Sequence, residues 1–262
     1  MEILNLIQPE SYKVYFLVLA RISVVLFMMP MFSTTMMPAL PKAGLAMVIS
    51  LLIYSVVDVD PALFPDTALE TGLLLITELM LGVVLSLSIR LFFGAAQLAG
   101  QVIGFQMGFS MINVVDPQSG ANISIMEELA YWVTVLIFLS LNGHHVILMA
   151  LIDSFKLVRP GVFVFQPVMV SQVLEMTTQM FALGIKIGAP VIAALLFTST
   201  AFGLTAKFSP QMNVMIIAFP IKIVIGLALF GLSMQITVLV TTQYIGHLKE
   251  MLMGLLYFAG GG

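Results

Sequence analysis

The chain has 262 residues, of which 60% are hydrophobic and only 9% are charged, whereas a soluble domain carries about 25% charged residues. With a mean hydropathy of +1.11, this composition excludes an ordinary soluble domain and predicts a membrane protein that crosses the bilayer several times. The net charge of −3 and the scattered Lys and Arg residues give no sign of a nucleic-acid interface, and the absence of cysteine excludes disulfides, thiolate nucleophiles and cysteine-bound metals.

The first two apolar segments are short. Residues 14–29 are apolar except for Arg21 and stop at Pro30, and residues 42–57 form a similar run. Both lie near the lower limit for a spanning helix, which is about 17 residues. No small-residue cleavage site follows the first run, so we expect it to remain in the protein as a helix.

An acidic link separates these runs from a much longer apolar stretch. Residues 58–70 contain no basic side chain, which places the link outside the cytoplasm by the positive-inside rule. Its Thr67 and Glu70 form a capping box that predicts the start of the next helix. Residues 71–115 are then largely apolar, and the residue before Pro117 is disfavoured in a helix. About 45 residues is too long for one straight span, so the sequence predicts a helix pair or a broken helix here.

Small residues recur at every fourth position near the end of this stretch, and they predict a groove in which another backbone approaches closely. The row consists of Ala96, Gly100, Gly104 and Gly108. Gln97 and Gln101 lie beside it. Because side-chain amides are costly in hydrocarbon unless they are hydrogen-bonded, we expect this segment to pack against protein or to line a passage.

The second half of the chain predicts three further helices. Ser124 and Glu127 form a second capping box, which opens a helix predicted to end near Ile152. The segment 153–167 that follows contains Lys156 and Arg159 and is predicted to be a surface loop. Two long helices are then predicted, over residues 171–206 and 209–249.

These last two helices are predicted to form a hairpin whose tip consists of Lys207, Ser209, Pro210 and Gln211. Ser209 is the predicted N-cap of the second helix, with Pro210 at its first position. Each helix would approach about 50 Å in length, beyond the hydrocarbon thickness of about 30 Å. The hairpin is therefore expected to protrude from the bilayer or to be kinked, and Lys207 indicates a cytoplasmic tip.

Charged side chains inside the apolar segments need partners. They are Arg21, Glu78, Arg90, Lys186 and Lys222. Each costs about 2.5–3.5 kcal/mol at the bilayer centre on insertion scales, so we expect interhelical pairing or positions near the interface, where long side chains reach water. The alternative is an ion or proton path, which usually contains several carboxylates at depth, whereas Glu78 stands alone here.

No motif for catalysis or for cofactor binding is found. His144 and His145 are adjacent, so their side chains point about 100° apart on a helix, and no carboxylate lies at a supporting spacing for a metal. Nucleotide-binding, metalloprotease and serine-hydrolase signatures are missing as well. The sequence predicts no enzyme, no metal and no cofactor. Met107 and Met111 could either fill a core or close a passage that must later deform.

Four segments read together resemble a known family. GFQMGFSMINVVDPQSG, FLSLNGHHVIL, GIKIGAPV and KFSPQMNVMIIAFPIKIVIGL occur in this order, and they are similar to the FliR/SctT family, a subunit of the flagellar and virulence type III protein-export gate. ARISVVLFMMPMF near the N-terminus fits the same family. The resemblance covers nearly the whole chain, and NGHH favours the flagellar branch.

The resemblance implies an all-α integral membrane protein, built as a bundle of long, kinked helical hairpins, in the bacterial inner membrane at the flagellar basal body. Residues 1–169 would resemble FliP, and residues 170–262 would form a FliQ-like hairpin. The implied partners are FliP, FliQ and FlhB, together with unfolded flagellar substrates in transit and membrane lipid. Energy would come from the proton motive force and a separate ATPase, and the helices need not cross the bilayer in the conventional way.

The pore-closing loop of the family maps onto about residues 106–122. The expected gating residues are Met107, Phe109, Met111, Asp116, Pro117, Gln118, Ser119 and Gly120. The expected helix-packing or subunit contacts are Gly100, Gly104, Gly108, Gln97 and Gln101. The alternative function is a secondary transporter that uses Glu78 and Lys186 as coupling sites. Such proteins contain internal repeats, and the only sign of a repeat in this sequence is a weak similarity between KIGAP and FPIKI.

Overall fold

The computed structural model describes residues 9–32, 38–65, 67–109, 124–209, 211 and 213–261, and these are helices joined by turns and loops. The α-helices in this part of the chain are α1 (Pro9–Met28), α2 (Ala39–Tyr54), α3 (Ala68–Met107), α4 (Ile125–Ser140), α5 (Gly143–Leu157), α6 (Pro167–Phe208) and α7 (Val214–Ala259). A single 3₁₀ turn, Pro61–Leu63, lies between α2 and α3. The described residues contain no strand.

Several of these helices are long and apolar enough to cross a membrane. Among the described residues, α1, α3, α6 and α7 each meet this criterion by length and composition, and α4 with α5 meets it as a pair with a break. An isolated apolar segment in lipid satisfies its backbone only as a helix. The prediction of an all-α integral membrane protein is therefore confirmed.

The two short helices are confirmed with shifted ends. The helix predicted over residues 14–29 is α1, which spans Pro9–Met28, and the helix predicted over residues 42–57 is α2, which spans Ala39–Tyr54. Pro41 lies in the first turn of α2, where backbone N–H groups have no partner within the helix, so proline is tolerated there.

The stretch between Thr71 and Val115 was predicted to be a helix pair or a broken helix, and because residues 110–115 lie outside the described residues, the prediction is tested only up to residue 109. α3 is a single helix of 40 residues that begins after Thr67, whose Oγ1 accepts a hydrogen bond from the Glu70 N–H at 3.4 Å. No proline lies within α3, and nothing else in lipid replaces the backbone hydrogen bonds that a break would lose. The helix is about 60 Å long at 1.5 Å per residue, about twice the hydrocarbon thickness.

Glycine, not proline, ends α3. Gly108 has a φ of +91°, its N–H donates to the Phe105 carbonyl at 3.1 Å, and the Phe109 N–H donates to the Gly104 carbonyl at 3.0 Å. These two hydrogen bonds and the left-handed glycine form a Schellman motif. α3 therefore ends at Met107, well before the residue that precedes Pro117.

The single helix predicted from Ser124 to Ile152 is instead two helices, α4 and α5. Asn142 has a φ of 57° and separates α4 from α5, and asparagine is one of the few non-glycine residues that adopts this conformation readily. Ser124 precedes α4, but its side chain makes no capping hydrogen bond. The predicted surface loop is shorter than expected because α5 continues to Leu157.

The two long C-terminal helices are confirmed, and their start and end points differ from the prediction. α6 has 42 residues and contains Pro190, and α7 has 46 residues and contains Pro220. The Ser209 N–H donates to the Thr205 carbonyl at 2.9 Å, so Ser209 closes α6 and is not the N-cap of α7. Pro210, the predicted first helical residue, lies outside the described residues.

The chain forms two compact units. The first unit comprises Met1–Leu91, Asn142–Met176 and Ile245–Gly262, and the second comprises Phe92–Leu141 and Thr177–Tyr244. α3, α6 and α7 contribute residues to both units. The division into residues 1–169 and 170–262 rests on a likeness between subunits and stays a prediction.

Candidate functional site

Most of the expected gating residues lie outside the described residues. These are Met111, Asp116, Pro117, Gln118, Ser119 and Gly120. Met107 and Phe109 are described, and they lie at the end of α3 in the second unit. Only the first part of the candidate gating segment is therefore described, and its gating role stays a prediction.

Met107 is fully buried in the core of the second unit. Its neighbours in this core are Ile103, Met126, Ala130, Val191, Leu195 and Phe230. The side chain fills a notch at Gly226 of α7, because a Cβ atom at Gly226 would lie 2.7 Å from the Met107 Sδ and 2.8 Å from its Cγ. Phe109 packs against the same core. In this structure Met107 acts as a packing residue that fixes the end of α3.

The small residues of α3 contact this chain's own helix α4. A Cβ atom at Gly100 would overlap the Met126 carbonyl oxygen and would lie 2.7 Å from the Glu127 Cα. A Cβ atom at Gly104 would overlap the Ser124 Oγ and would lie 3.2 Å from the Met126 Cβ. The start of α4 therefore occupies the groove that the glycine row predicts.

The remaining residues of the row have other neighbours. Ala96 is buried, and Gly108 faces α7, where a Cβ atom would lie 2.7 Å from the Phe219 Cε2. Gln97 is half-buried and Gln101 is exposed. A second close approach lies beside the row, since a Cβ at Gly184 of α6 would lie 2.9 Å from the Ala95 carbonyl oxygen. This contact was not predicted, although the two glycines four residues apart in GIKIGAP were an available signal for it.

Arg21 and Glu78 form a buried ion pair in the first unit. Their side chains are 0% and 1% exposed. The Arg21 Nε–H donates to Glu78 Oε2 at 2.5 Å, and its Nη2–H donates to Oε1 at 2.9 Å. The pair is bidentate, which is the strongest geometry for arginine and a carboxylate. Arg21 also lies over the Phe155 ring, with its Cζ 4.3 Å from the ring centroid.

The other three intramembrane charges have no ion-pair partner among the described residues. Arg90 and Lys186 are exposed in this chain, and Lys222 is half-buried. Of the predicted tip residues that are described, Lys207 and Gln211 are exposed and Ser209 is half-buried.

Two polar contacts were not predicted from the sequence. The Trp132 Nε1–H donates to Glu128 Oε1 at 2.6 Å, and the two residues are four apart on α4, so this spacing could have revealed the contact. Asp153 pairs with Lys249 at 3.0 Å, and no local spacing indicates that partner. The rings of His144 and His145 lie 4.2 Å apart, and within the described residues no three His, Asp or Glu side chains are grouped as metal ligands.

A comparison with known families defines the class of protein. The profile of the family described as "Bacterial export proteins, family 1" matches residues 12–248, which is most of the chain, so this chain belongs to that family of bacterial membrane proteins.

Relatives within the family carry a more specific name. The chain is 30% identical over 256 residues to the flagellar biosynthetic protein FliR of Bacillus subtilis (strain 168), covering 96% of this chain and 97% of the relative. It is 30% identical over 228 residues to FliR of Escherichia coli (strain K12), covering 86% of this chain and 85% of that relative. It is 28% identical over 238 residues to FliR of Aquifex aeolicus (strain VF5), covering 91% and 90%.

Proposed function

We propose that this chain is a core subunit of the flagellar type III export gate, which forms with FliP and FliQ the channel for unfolded flagellar proteins across the inner membrane. The observation that carries the proposal is similarity to FliR proteins over nearly the full length of both chains. The role is structural and non-enzymatic, and FlhB is a further expected partner.

The surface of the long helices supports an assembly with other proteins. Only 28% of the most apolar part of α6 and of α7 is buried within this chain. Lys186 is exposed within α6, although a cation in hydrocarbon costs about 2.5–3.5 kcal/mol. At about 63 and 69 Å, both helices also exceed the hydrocarbon thickness. Partner helices would account for all three properties.

The gating role of the segment after α3 is part of the same proposal. The Schellman motif at Gly108 and the Met107 side chain in its notch fix the point where this segment begins. The loop over residues 116–122 would then block the channel at rest and move when substrate arrives. Deleting residues 118–122 is expected to permit assembly but to raise ion conductance across membranes that contain the complex. Unchanged conductance with normal export would refute the blocking role.

Purification provides the test of the assembly itself. An affinity-tagged chain expressed with candidate FliP and FliQ proteins is expected to elute as one complex of unlike subunits from mild detergent. A stable monomer or a symmetric homo-oligomer, with neither protein retained, would contradict the proposal and favour the transporter. The structure already weakens that alternative, because Glu78 is buried and fully engaged by Arg21 and by the Gly161 N–H.

A further inference from the structure

The connection between α5 and α6, residues 158–166, contains a tight turn. The Val162 N–H donates to the Arg159 carbonyl at 3.1 Å, Pro160 and Gly161 occupy the two central positions, and Gly161 has a φ of +82°. Proline followed by a glycine of positive φ is the pattern of a type II turn. The N–H of the glycine in such a turn is not used by the turn itself, so it needs an acceptor.

Glu78 supplies that acceptor. The Gly161 N–H donates to Glu78 Oε1 at 2.9 Å, and the same oxygen accepts from Arg21 Nη2. Because Glu78 is buried, this contact is a charge-assisted hydrogen bond in a nearly dry environment. The Glu78 carboxylate therefore binds both the turn and the Arg21 side chain.

Arg21 holds the other side of the connection. Its Nη1–H groups donate to the Ser154 carbonyl at 3.0 Å, to the Ser154 Oγ at 3.2 Å and to the Val158 carbonyl at 3.2 Å. Ser154 lies in the last turn of α5, and Val158 is its C-cap residue. The Ser154 carbonyl already accepts the Val158 N–H at 2.9 Å, but the carbonyls at a helix C-terminus carry partial negative charge, so a cation is favoured there.

We propose that Arg21 and Glu78 form a polar clamp that holds the end of α5 and the turn that follows it. The clamp, defined as Arg21, Glu78 and their contacts with Ser154, Val158 and Gly161, ties α1 and α3 to the end of α5 and to the turn. The two charged residues cannot exchange places, because the arginine donates hydrogen bonds to carbonyl oxygens and the glutamate accepts one from an N–H group. This role is independent of the proposed export function and extends beyond neutralising two buried charges.

Exchanging the two charges distinguishes a clamp from a simple ion pair. The double variant Arg21→Glu with Glu78→Arg keeps opposite charges together, but it presents a carboxylate to two carbonyl oxygens and a guanidinium to the Gly161 N–H. We expect this variant, like Arg21→Met, to lose the folded peak of the full-length chain in size-exclusion chromatography from mild detergent. A wild-type peak and a wild-type melting temperature for the double variant would overturn the proposal.

The matched control is the exchange of a second ion pair in the same unit. Asp153 of α5 lies 3.0 Å from Lys249 of α7 and 3.6 Å from the highly exposed Lys156, and all three side chains are at least partly exposed, so solvent screens the charges that the exchange rearranges. The double variant Asp153→Lys with Lys249→Asp is expected to keep the wild-type peak, because exposed pairs contribute little and this pair holds no turn.

A labelling experiment tests the clamp in protein that folds. The chain has no cysteine, so Val162→Cys, at a position that is 40% exposed in the wild type, provides a single thiol next to the turn. Glu78→Gln keeps the side-chain size and one acceptor oxygen but removes the charge. We expect it to accelerate labelling of Val162→Cys by a water-soluble maleimide on the order of tenfold, through local opening of the turn.

Labelling at a distant position provides the reference. Val56 is exposed and lies after the end of α2, so the rate at Val56→Cys is expected to be the same with and without Glu78→Gln. An unchanged rate at Val162→Cys in folded Glu78→Gln protein would overturn the proposal.

Discussion

The substitution Gly100→Ala tests whether the row of small residues on α3 is required by this chain's own packing. The added methyl group would overlap the Met126 carbonyl oxygen, and it would lie 2.7 Å from the Glu127 Cα and 2.9 Å from the Ala130 Cβ. Two of these three atoms belong to the backbone of α4, so no side-chain rotation relieves the contact. α4 must move away from α3 or the chain must lose packing around Met126.

The size of the effect follows from a comparison within α3. Overfilling a packed site typically destabilises by about 1–3 kcal/mol, whereas Gly→Ala in a helix interior favours the helix by up to about 1 kcal/mol. Gly72 lies on the same helix with no described atom within 4 Å of an added Cβ. Gly72→Ala should therefore gain helix propensity without any steric overlap. The difference in the free energy of unfolding between Gly100→Ala and Gly72→Ala should then equal the cost of the overlap with α4, about 1–3 kcal/mol.

This difference can be measured by heating the full-length chain in mild detergent and determining the remaining folded fraction by size-exclusion chromatography. With about 2–4 °C per kcal/mol for chains of 150–250 residues, Gly100→Ala should melt several degrees below Gly72→Ala. Gly104→Ala should lie between them, because its nearest contact is the rotatable Ser124 Oγ. Equal melting temperatures for Gly100→Ala and Gly72→Ala would refute the close approach of α4.

Three further predictions concern single positions. Met107→Ala should destabilise the chain by about 2–5 kcal/mol because it empties a buried site, and adding Gly226→Ala should recover part of the loss by filling the notch; a double-mutant cycle of melting temperatures measures the coupling. Asn142→Gly should keep the wild-type melting temperature, whereas Asn142→Ala should lower it, because glycine and asparagine tolerate the left-handed conformation, which costs most other residues about 1–2 kcal/mol. Gly104→Leu should prevent copurification with partner subunits by displacing α4, and a normally assembled complex would show that the site tolerates bulk.

The existence of the helices could be predicted from the sequence because lipid leaves few alternatives. An apolar segment of sufficient length cannot leave its backbone groups unpaired in hydrocarbon. α6 and α7 followed directly from this constraint, although each contains a proline, Pro190 or Pro220. Helix type and approximate length therefore need no knowledge of the tertiary structure.

Helix ends were less predictable because one residue can decide them. Gly108 and Asn142 end helices by adopting positive φ values, whereas the sequence pattern favoured a helix end before Pro117 and a continuous helix through Asn142. Each residue also occurs in helix interiors, so its presence alone does not fix its conformation. The Asn142-Gly143 dipeptide was the available signal for a break.

The charged residues show a second limit of sequence reasoning. The cost of burial predicted that Arg21 and Glu78 need partners, but it could not choose Arg21 for Glu78 among the available cations. It also could not predict the contacts with Val158 and Gly161, because these involve backbone groups that every residue possesses. Such partners are determined by the approach of segments that are distant in the chain.

The row of small residues combines both lessons. Its spacing predicts that a backbone approaches α3, but it does not say which one, since any helix can enter such a groove. In this structure α4 fills the groove at Gly100 and Gly104, so the tightest positions of α3 are used within the chain. Gln101 and Phe105 lie one turn apart on α3 and are exposed. An exposed amide needs a hydrogen-bonding partner, which lipid does not offer. Gln101 and the neighbouring Phe105 are therefore better suited to contact another protein than to face lipid. The predicted subunit contact of this segment is therefore better supported at Gln101 than at the glycines.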